Sequence, residues 1–348
     1  MLTDDFDFHL PEGSIAQRPL ARGESRLLVL DAAGDDRHRH TRDLPDLLQP
    51  GDLVVVNDTR VLPARLFGKR RPGGGKVEIL LAEKLETDDD ATWDALLKPG
   101  RRARPGTVID LDDDAPGDPL STEVLAKGDD GRYQLRFSEP IEPHLERLGH
   151  IPLPPYIKRD DDADDRTTYQ TVFARQPGAI AAPTAGLHFD ETFSERLAAR
   201  GIGHAAVTLH VGLGTFKPVT AALVHEHHMD EERYHVSTEV AEAIHRTRAR
   251  GGRIVAIGTT VVRTLESAAQ RTGAVEAGGG RTDLFINPGY DFRAVDVLLT
   301  NFHLPKSTLL MLVSALAGRN RVLDAYREAV DEGYRFYSYG DAMLVSRR

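Results

Sequence analysis

The sequence predicts an α/β domain that is discontinuous along the chain, built on a mixed sheet with helices, and interrupted by a small antiparallel β-barrel. Three observations predict it. Short apolar runs closed by polar residues occur on both sides of the chain's middle, at Leu53–Val56, Ile254–Ile257 and Val295–Leu299. Polar side chains just past a buried strand stand where open α/β sheets collect ligands. From residue 63 to residue 149 the texture changes to short alternating runs with glycine and proline turns, the pattern of a small all-β module. Third, the proline-rich segment Ile151-Pro152-Leu153-Pro154-Pro155-Tyr156 ends that module, and strands then alternate with helices. Residues 1–62 and 150–348 are therefore assigned to the α/β domain and 63–149 to the barrel.

Taken in order, Arg26–Leu30 reads as a strand of the same character as Leu53–Val56. Within the module, Lys76-Val77-Glu78-Ile79 and Tyr133-Gln134-Leu135-Arg136-Phe137 alternate, and Asp129-Asp130-Gly131 is the turn into the second run. Asp190 to Arg200 reads as a helix, with Phe193 and Leu197 on one face and Gly201 as its stop. Further helices are expected at Thr238–Ala249, ending at Gly251-Gly252, at Val261–Ala269, and at Ser307–Leu316, where Ser307 is the N-cap after Pro305. There is no internal repeat and no coiled coil.

A chain of 348 residues with 40% hydrophobic content can bury two cores of ordinary size. No apolar stretch approaches the roughly 20 residues of a membrane span, so a cytoplasmic protein is expected. The absence of cysteine excludes disulfides, thiolate nucleophiles and Cys-ligated metals. The net charge of −10 argues against nucleic acid only until it is read locally. Arg60 to Lys76 holds six basic residues and no acid, and Lys98 to Thr107 holds four more. The acids gather in Asp88–Asp90, Asp112–Asp114 and Asp160–Asp165, runs expected to be solvated loops.

Two segments mix histidine with residues that otherwise read as buried backbone, Ala181-Ala182-Pro183-Thr184-Ala185-Gly186-Leu187-His188-Phe189 and Leu209-His210-Val211-Gly212-Leu213-Gly214-Thr215-Phe216. Glycine and threonine let a ligand approach the main chain, while histidine moves protons near neutral pH. Asn57-Asp58-Thr59-Arg60, Gly258-Thr259-Thr260 and Asn301-Phe302-His303 follow strands in the same way. The Gly-x-Gly of the second segment lacks the third glycine and helix start of a dinucleotide fingerprint, which excludes nicotinamide and flavin. His225-Glu226-His227-His228 does not have zinc-ligand spacing, so no metal is expected.

Read together, these motifs with Ala256-Ile257-Gly258-Thr259-Thr260-Val261-Val262-Arg263-Thr264-Leu265-Glu266-Ser267, Tyr169-Gln170-Thr171-Val172-Phe173 and Tyr334-Arg335-Phe336-Tyr337-Ser338-Tyr339-Gly340-Asp341 closely resemble the S-adenosylmethionine:tRNA ribosyltransferase-isomerase family of queuosine biosynthesis. The resemblance spans nearly the whole chain. It implies an α/β domain with an inserted β-barrel and a reaction on transfer RNA carrying 7-aminomethyl-7-deazaguanine at the wobble position. The ribosyl part of S-adenosylmethionine passes to the amine, adenine and methionine leave, and epoxyqueuosine results. One departure is visible. Where the family usually reads His-x-Met-His-x-Glu, this chain has His227-His228-Met229-Asp230-Glu231-Glu232.

That chemistry sets what the site must hold. Adenine leaves well only when a ring nitrogen is protonated or hydrogen-bonded, which makes His188, His210 and His303 the candidates. The acidified carbon beside the sulfonium and the attacking amine each lose a proton, to a second histidine or to Glu232 or Asp341. A sulfonium suits aromatic faces, and Tyr334, Phe336, Tyr337, Tyr339 and Asp341 form the best local cluster. Free N–H groups at Gly258-Thr259-Thr260 suit a carboxylate or phosphate, although N-capping by either threonine explains them equally. Thr184, Gly186, Thr215, Asn301 and Tyr337 complete the expected S-adenosylmethionine contacts, and Arg60, Arg65, Arg70, Arg71, Arg101 and Arg102 are the expected phosphate contacts of tRNA. S-adenosylmethionine is expected as co-substrate, with no prosthetic group, and the protein is expected to be a monomer. The competing expectations are a tRNA-binding protein without chemistry and an S-adenosylmethionine-dependent methyltransferase.

Overall fold

The computed structural model describes residues 1–30, 37–113, 119–128, 131–212, 214 and 219–347. Its main sheet has nine strands: β1 (Arg26–Leu30), β2 (Arg37–His40), β3 (Leu53–Asn57), β12 (Gly203–Leu209), β13 (Glu232–Val236), β14 (Ile254–Ile257), β15 (Gly278–Thr282), β16 (Val297–Asn301) and β17 (Ala342–Ser346). Their order is β15-β13-β12-β3-β14-β16-β17-β1-β2. β12, β3, β14 and β16 run parallel, and antiparallel pairs flank them, so the sheet is mixed as expected. Between β3 and β12 lie β4 (Thr59–Val61), paired with β11 (Gln176–Ala179), and the barrel strands β5 (Arg65–Arg71), β6 (Lys76–Lys84), β7 (Thr92–Lys98), β8 (Val108–Leu111), β9 (Ser121–Lys127) and β10 (Tyr133–Phe137). These six close into an antiparallel barrel.

Alternation explains the layers. In β3, Val55 faces the core made with helices Thr238–Ala249, Thr259–Ala269, Thr308–Ala317 and Arg319–Asp331, while Val54 and Val56 face the core of Phe189, Phe193 and Leu197. Both faces are covered, which is why the strand reads as an unbroken apolar run. The barrel strands bury every second residue, such as Val77, Ile79 and Leu81, in a core of their own.

Most expected elements appear within a residue or two, and three differences have physical causes. The helix after His188 spans Phe193–Ala198, because Asp190 accepts the Thr192 amide (2.9 Å) and turns the chain before it. The strand expected at Val295 starts at Val297, since the Val295 amide donates to buried Glu266 instead (3.1 Å). Asp165, assigned to a solvated acidic run, is buried, pairs with Arg159 (2.6 Å) and accepts the Tyr339 hydroxyl (3.2 Å). Of the Asp129-Asp130-Gly131 turn, the two aspartates lie outside the described residues, and Gly131 has φ +83°.

Candidate active site

The parallel strands end at one edge, and each end is tied to the next. Asn57, at the end of β3, donates to the Leu209 carbonyl (3.0 Å) and the Thr260 hydroxyl (3.2 Å), and accepts the amides of Leu209 and Thr59 (both 3.1 Å). One buried amide thus fixes β3, β12, β4 and the start of helix Thr259–Ala269 relative to each other. Gly258 precedes that helix at φ +94°, a conformation that favours glycine. Neither threonine side chain caps the helix, so its first N–H groups stay open toward the edge. At the end of β16, Asn301 donates to the Tyr337 carbonyl (3.0 Å) and accepts the Thr184 hydroxyl (3.4 Å).

Above these ends lies a cleft of about 570 Å³ including its open mouth. Tyr156, Tyr169 and Tyr337 form one side, Gly258, Thr259 and Thr260 another, and Thr184, Asn301 and His303 the floor. The rings of Tyr156 and Tyr337 meet edge to face at 3.9 Å, and the Tyr156 hydroxyl bonds Ser338 (2.5 Å). Tyr337 is held at φ +73°, which for a non-glycine residue costs on the order of 1–3 kcal/mol and persists where surrounding contacts impose it.

The three histidines do not share this cleft. His303 lines it, bonded through Nε2 to the Thr300 hydroxyl (3.0 Å), and burial pushes its pKa down to about 3. His188 lies behind the floor against Asn301, fully enclosed, with Nε2 unpartnered and its pKa lowered to about 4, chiefly by burial. His210 lines a second cleft, separated from the first by Val211, which borders both. Its Nδ1 bonds the Thr59 hydroxyl (2.8 Å), and burial with the Arg233 charge lowers its pKa. His188 and His210 therefore do not face one cleft: the turn Thr184–His188 carries His188 beneath the floor, and β12 delivers His210 to the far side of Val211.

Two expected proton acceptors are occupied. Glu232 is buried in an ion pair with Arg263 and accepts the Gly212 amide (2.9 Å). Asp341 is buried outside the cleft and accepts the amides of Arg26 (2.9 Å) and Arg335 (2.8 Å). Both carboxylates hold loops together. Gly186 is also a packing residue, since a Cβ there would meet Thr171 at 2.9 Å, and Thr215 lies outside the described residues. Of the C-terminal aromatics only Tyr337 reaches the cleft, because Tyr334 and Phe336 pack into the main core and Tyr339 onto Tyr169. Tyr156 and Tyr169 supply the aromatic side that sequence reasoning missed. Both stand in segments whose prolines and alternating polarity give no sign of which way the rings turn.

The basic candidates divide. Arg65 is tied to Glu78 (2.9 Å), Arg71 to Asp110, and Arg70 packs half-buried against Gly75. Arg60 is exposed beside Glu146 (3.3 Å). Arg101 and Arg102 are exposed and form no ion pair among the described residues. Among the described residues no group of three or more His, Cys, Asp or Glu is placed to hold a metal, and no helix is long and apolar enough to cross a membrane.

The second cleft lies where the barrel meets the sheet, between Ala82, Glu83 and Arg132 of the barrel and Asp230, Arg233 and Arg281 of the sheet edge. Asp230, the residue that departs from the resembling sequences, pairs with Arg132 across this junction (2.9 Å).

The chain matches the sequence model of a family described as queuosine biosynthesis protein over residues 3–345. It is 56% identical to the S-adenosylmethionine:tRNA ribosyltransferase-isomerase of Anaeromyxobacter sp. (strain K), covering 100% of both chains. To the protein of the same name from Gloeobacter violaceus it is 54% identical over 99% of this chain and 96% of that one. The crystal structure of S-adenosylmethionine tRNA ribosyltransferase from Thermotoga maritima superposes with a TM-score of 0.55, at 40% identity, over 98% of this chain and 99% of that one.

Proposed function

The chain belongs to the queuosine biosynthesis protein family, and on that premise we propose how its cleft serves an S-adenosylmethionine:tRNA ribosyltransferase-isomerase. The enzyme transfers and isomerises the ribosyl moiety of S-adenosylmethionine onto 7-aminomethyl-7-deazaguanine at the wobble position of tRNA, giving epoxyqueuosine with release of adenine and methionine. It does so as a cytoplasmic monomer, with S-adenosylmethionine as co-substrate.

One observation carries the placement of that co-substrate. The tyrosine side of the first cleft and the open N-terminus of helix Thr259–Ala269 face the same space. A sulfonium and a carboxylate are the charged ends of the methionyl part of S-adenosylmethionine. Aromatic faces attract the first and free helix N–H groups the second. Thr184 and Asn301 hold the floor, and His303 lies within the cleft to meet adenine. Burial keeps His303 neutral at pH 7, so its help to the departing adenine is a hydrogen bond from an imidazole N–H and not a stored proton. His188, behind Asn301, is a positioning residue.

The test is to incubate the protein with S-adenosylmethionine and tRNA bearing the 7-aminomethyl-7-deazaguanine precursor. Free adenine and a mass gain at the wobble nucleotide are expected. S-adenosylhomocysteine in place of adenine would make the protein a methyltransferase, and tRNA binding with neither product would leave it non-catalytic.

A further inference from the structure

The structure assigns the second cleft, floored by His210 and walled by the barrel, to the amine-bearing base of the RNA, with His210 as acceptor of the proton the amine must lose. The proposal rests on the ribosyl-transfer reading above and adds where the second substrate sits. Val211 borders both clefts, so ligands seated on its two sides lie adjacent, as a nitrogen and the carbon it attacks must.

The cleft also opens where RNA can reach it. Arg132 lines it, and the next residue, Tyr133, donates its hydroxyl to the Gly100 carbonyl (2.7 Å), which holds the turn carrying Arg101 and Arg102 against this end of the barrel. Two exposed arginines without acidic partners among the described residues suit backbone phosphates, and phosphate contacts set the register of a base beside them.

The hydrogen bonds around His210 accommodate the form that accepts a proton. The Thr59 hydroxyl has one proton, and the Gln176 carbonyl, within 3.5 Å, can only accept it. In the tautomer the proposal requires, the hydroxyl receives a hydrogen bond from His210 Nδ1–H (2.8 Å), which leaves Nε2 with a free lone pair. Gly178 makes room for the ring, since a Cβ there would lie 2.8 Å from Nδ1. Arg233 and Arg132 face the cleft with Arg281, opposed by Glu83, Asp230, Glu231 and Glu232. Burial and the Arg233 charge hold the imidazole neutral and so able to accept a proton. The ammonium gives one proton to Nε2, the imidazole becomes imidazolium, and the amine keeps the lone pair that forms the new C–N bond.

Gly212 lines the cleft and offers a direct test, because among the described residues a Cβ there meets nothing nearer than Glu232 Cγ at 3.9 Å. Gly212→Leu is expected to raise KM for the precursor tRNA by roughly tenfold or more, while the Kd for S-adenosylmethionine by calorimetry changes less than about twofold. An unchanged tRNA KM, or an equal loss of S-adenosylmethionine affinity, would overturn the assignment of the cleft. His210→Gln is expected to lower kcat about 100-fold at neutral pH and to recover as pH rises toward the amine's own pKa. A deficit that stays constant with pH would remove His210 as proton acceptor. Wild-type protein that releases no adenine would sink the ribosyl-transfer reading itself, whereas adenine release by an unimpaired Gly212→Leu variant sinks only the placement of the base.

Discussion

His188 and His303 are each 5% exposed, and both are held below the ordinary value of 6.5, to about 4 and about 3, with burial as the main cause. For His188 the nearby Arg335 charge adds to burial, while Asp341 opposes it. A histidine whose folded pKa is depressed leaves the unfolded chain holding the extra proton as pH falls. Stability is then complete above about pH 6.5 and declines below it, by about 1.4 kcal/mol per pH unit for each histidine. Urea unfolding at about pH 7 and about pH 5 should show the loss, and His303→Gln should reduce it. Level stability across that range in the wild type would contradict the enclosed, neutral histidines. The sequence made these residues conspicuous and left their roles open, because histidine beside Leu187 or Phe302 looks the same whether it faces a ligand or a core. What separated them was the turn Thr184–His188, a short 3₁₀ segment with no periodic pattern to announce it.

Helix Thr259–Ala269 shows the same division for whole elements. Its apolar spacing was legible, and so was the glycine before it, but Thr259 and Thr260 could equally have capped the helix. The structure leaves the end uncapped, with Thr260 instead receiving Asn57. Gly258→Ala tests the turn. A side chain at φ +94° is strained, and its Cβ would press on that of Ala185 at 3.3 Å. We expect a loss of about 1–3 kcal/mol in stability and roughly tenfold weaker S-adenosylmethionine binding, read by thermal melting and calorimetry. Binding at the wild-type level would detach the helix end from the ligand. Other boundaries moved for reasons that lie far along the chain. Glu266 takes the amides of Arg293, Ala294 and Val295, and no local propensity at Val295 can report a carboxylate 29 residues earlier.

Across the whole molecule, the change of texture near residue 63 gave the barrel, and the alternating elements gave the sheet. The sequence did not show that the barrel leans on the sheet edge through Arg132 and Asp230, since neither residue stands out until the fold brings them to 2.9 Å. The exposed pair Arg101 and Arg102 lets that arrangement be tested by salt. Affinity for tRNA should fall linearly with salt on logarithmic axes, and Arg101→Glu with Arg102→Glu should flatten the slope by roughly one for each phosphate that is no longer neutralised. An unaltered slope would place the RNA elsewhere. The sheet itself sets the timing of assembly. β17 lies between β16 and β1, and the Arg26 amide is held by Asp341, 315 residues further on. A ribosome adding about 5–20 residues per second makes β1 roughly 15–60 s before its neighbour. Through that interval Leu27 and Leu28 wait on a bare strand edge, which gives chaperones their longest opening on the first strand of the sheet.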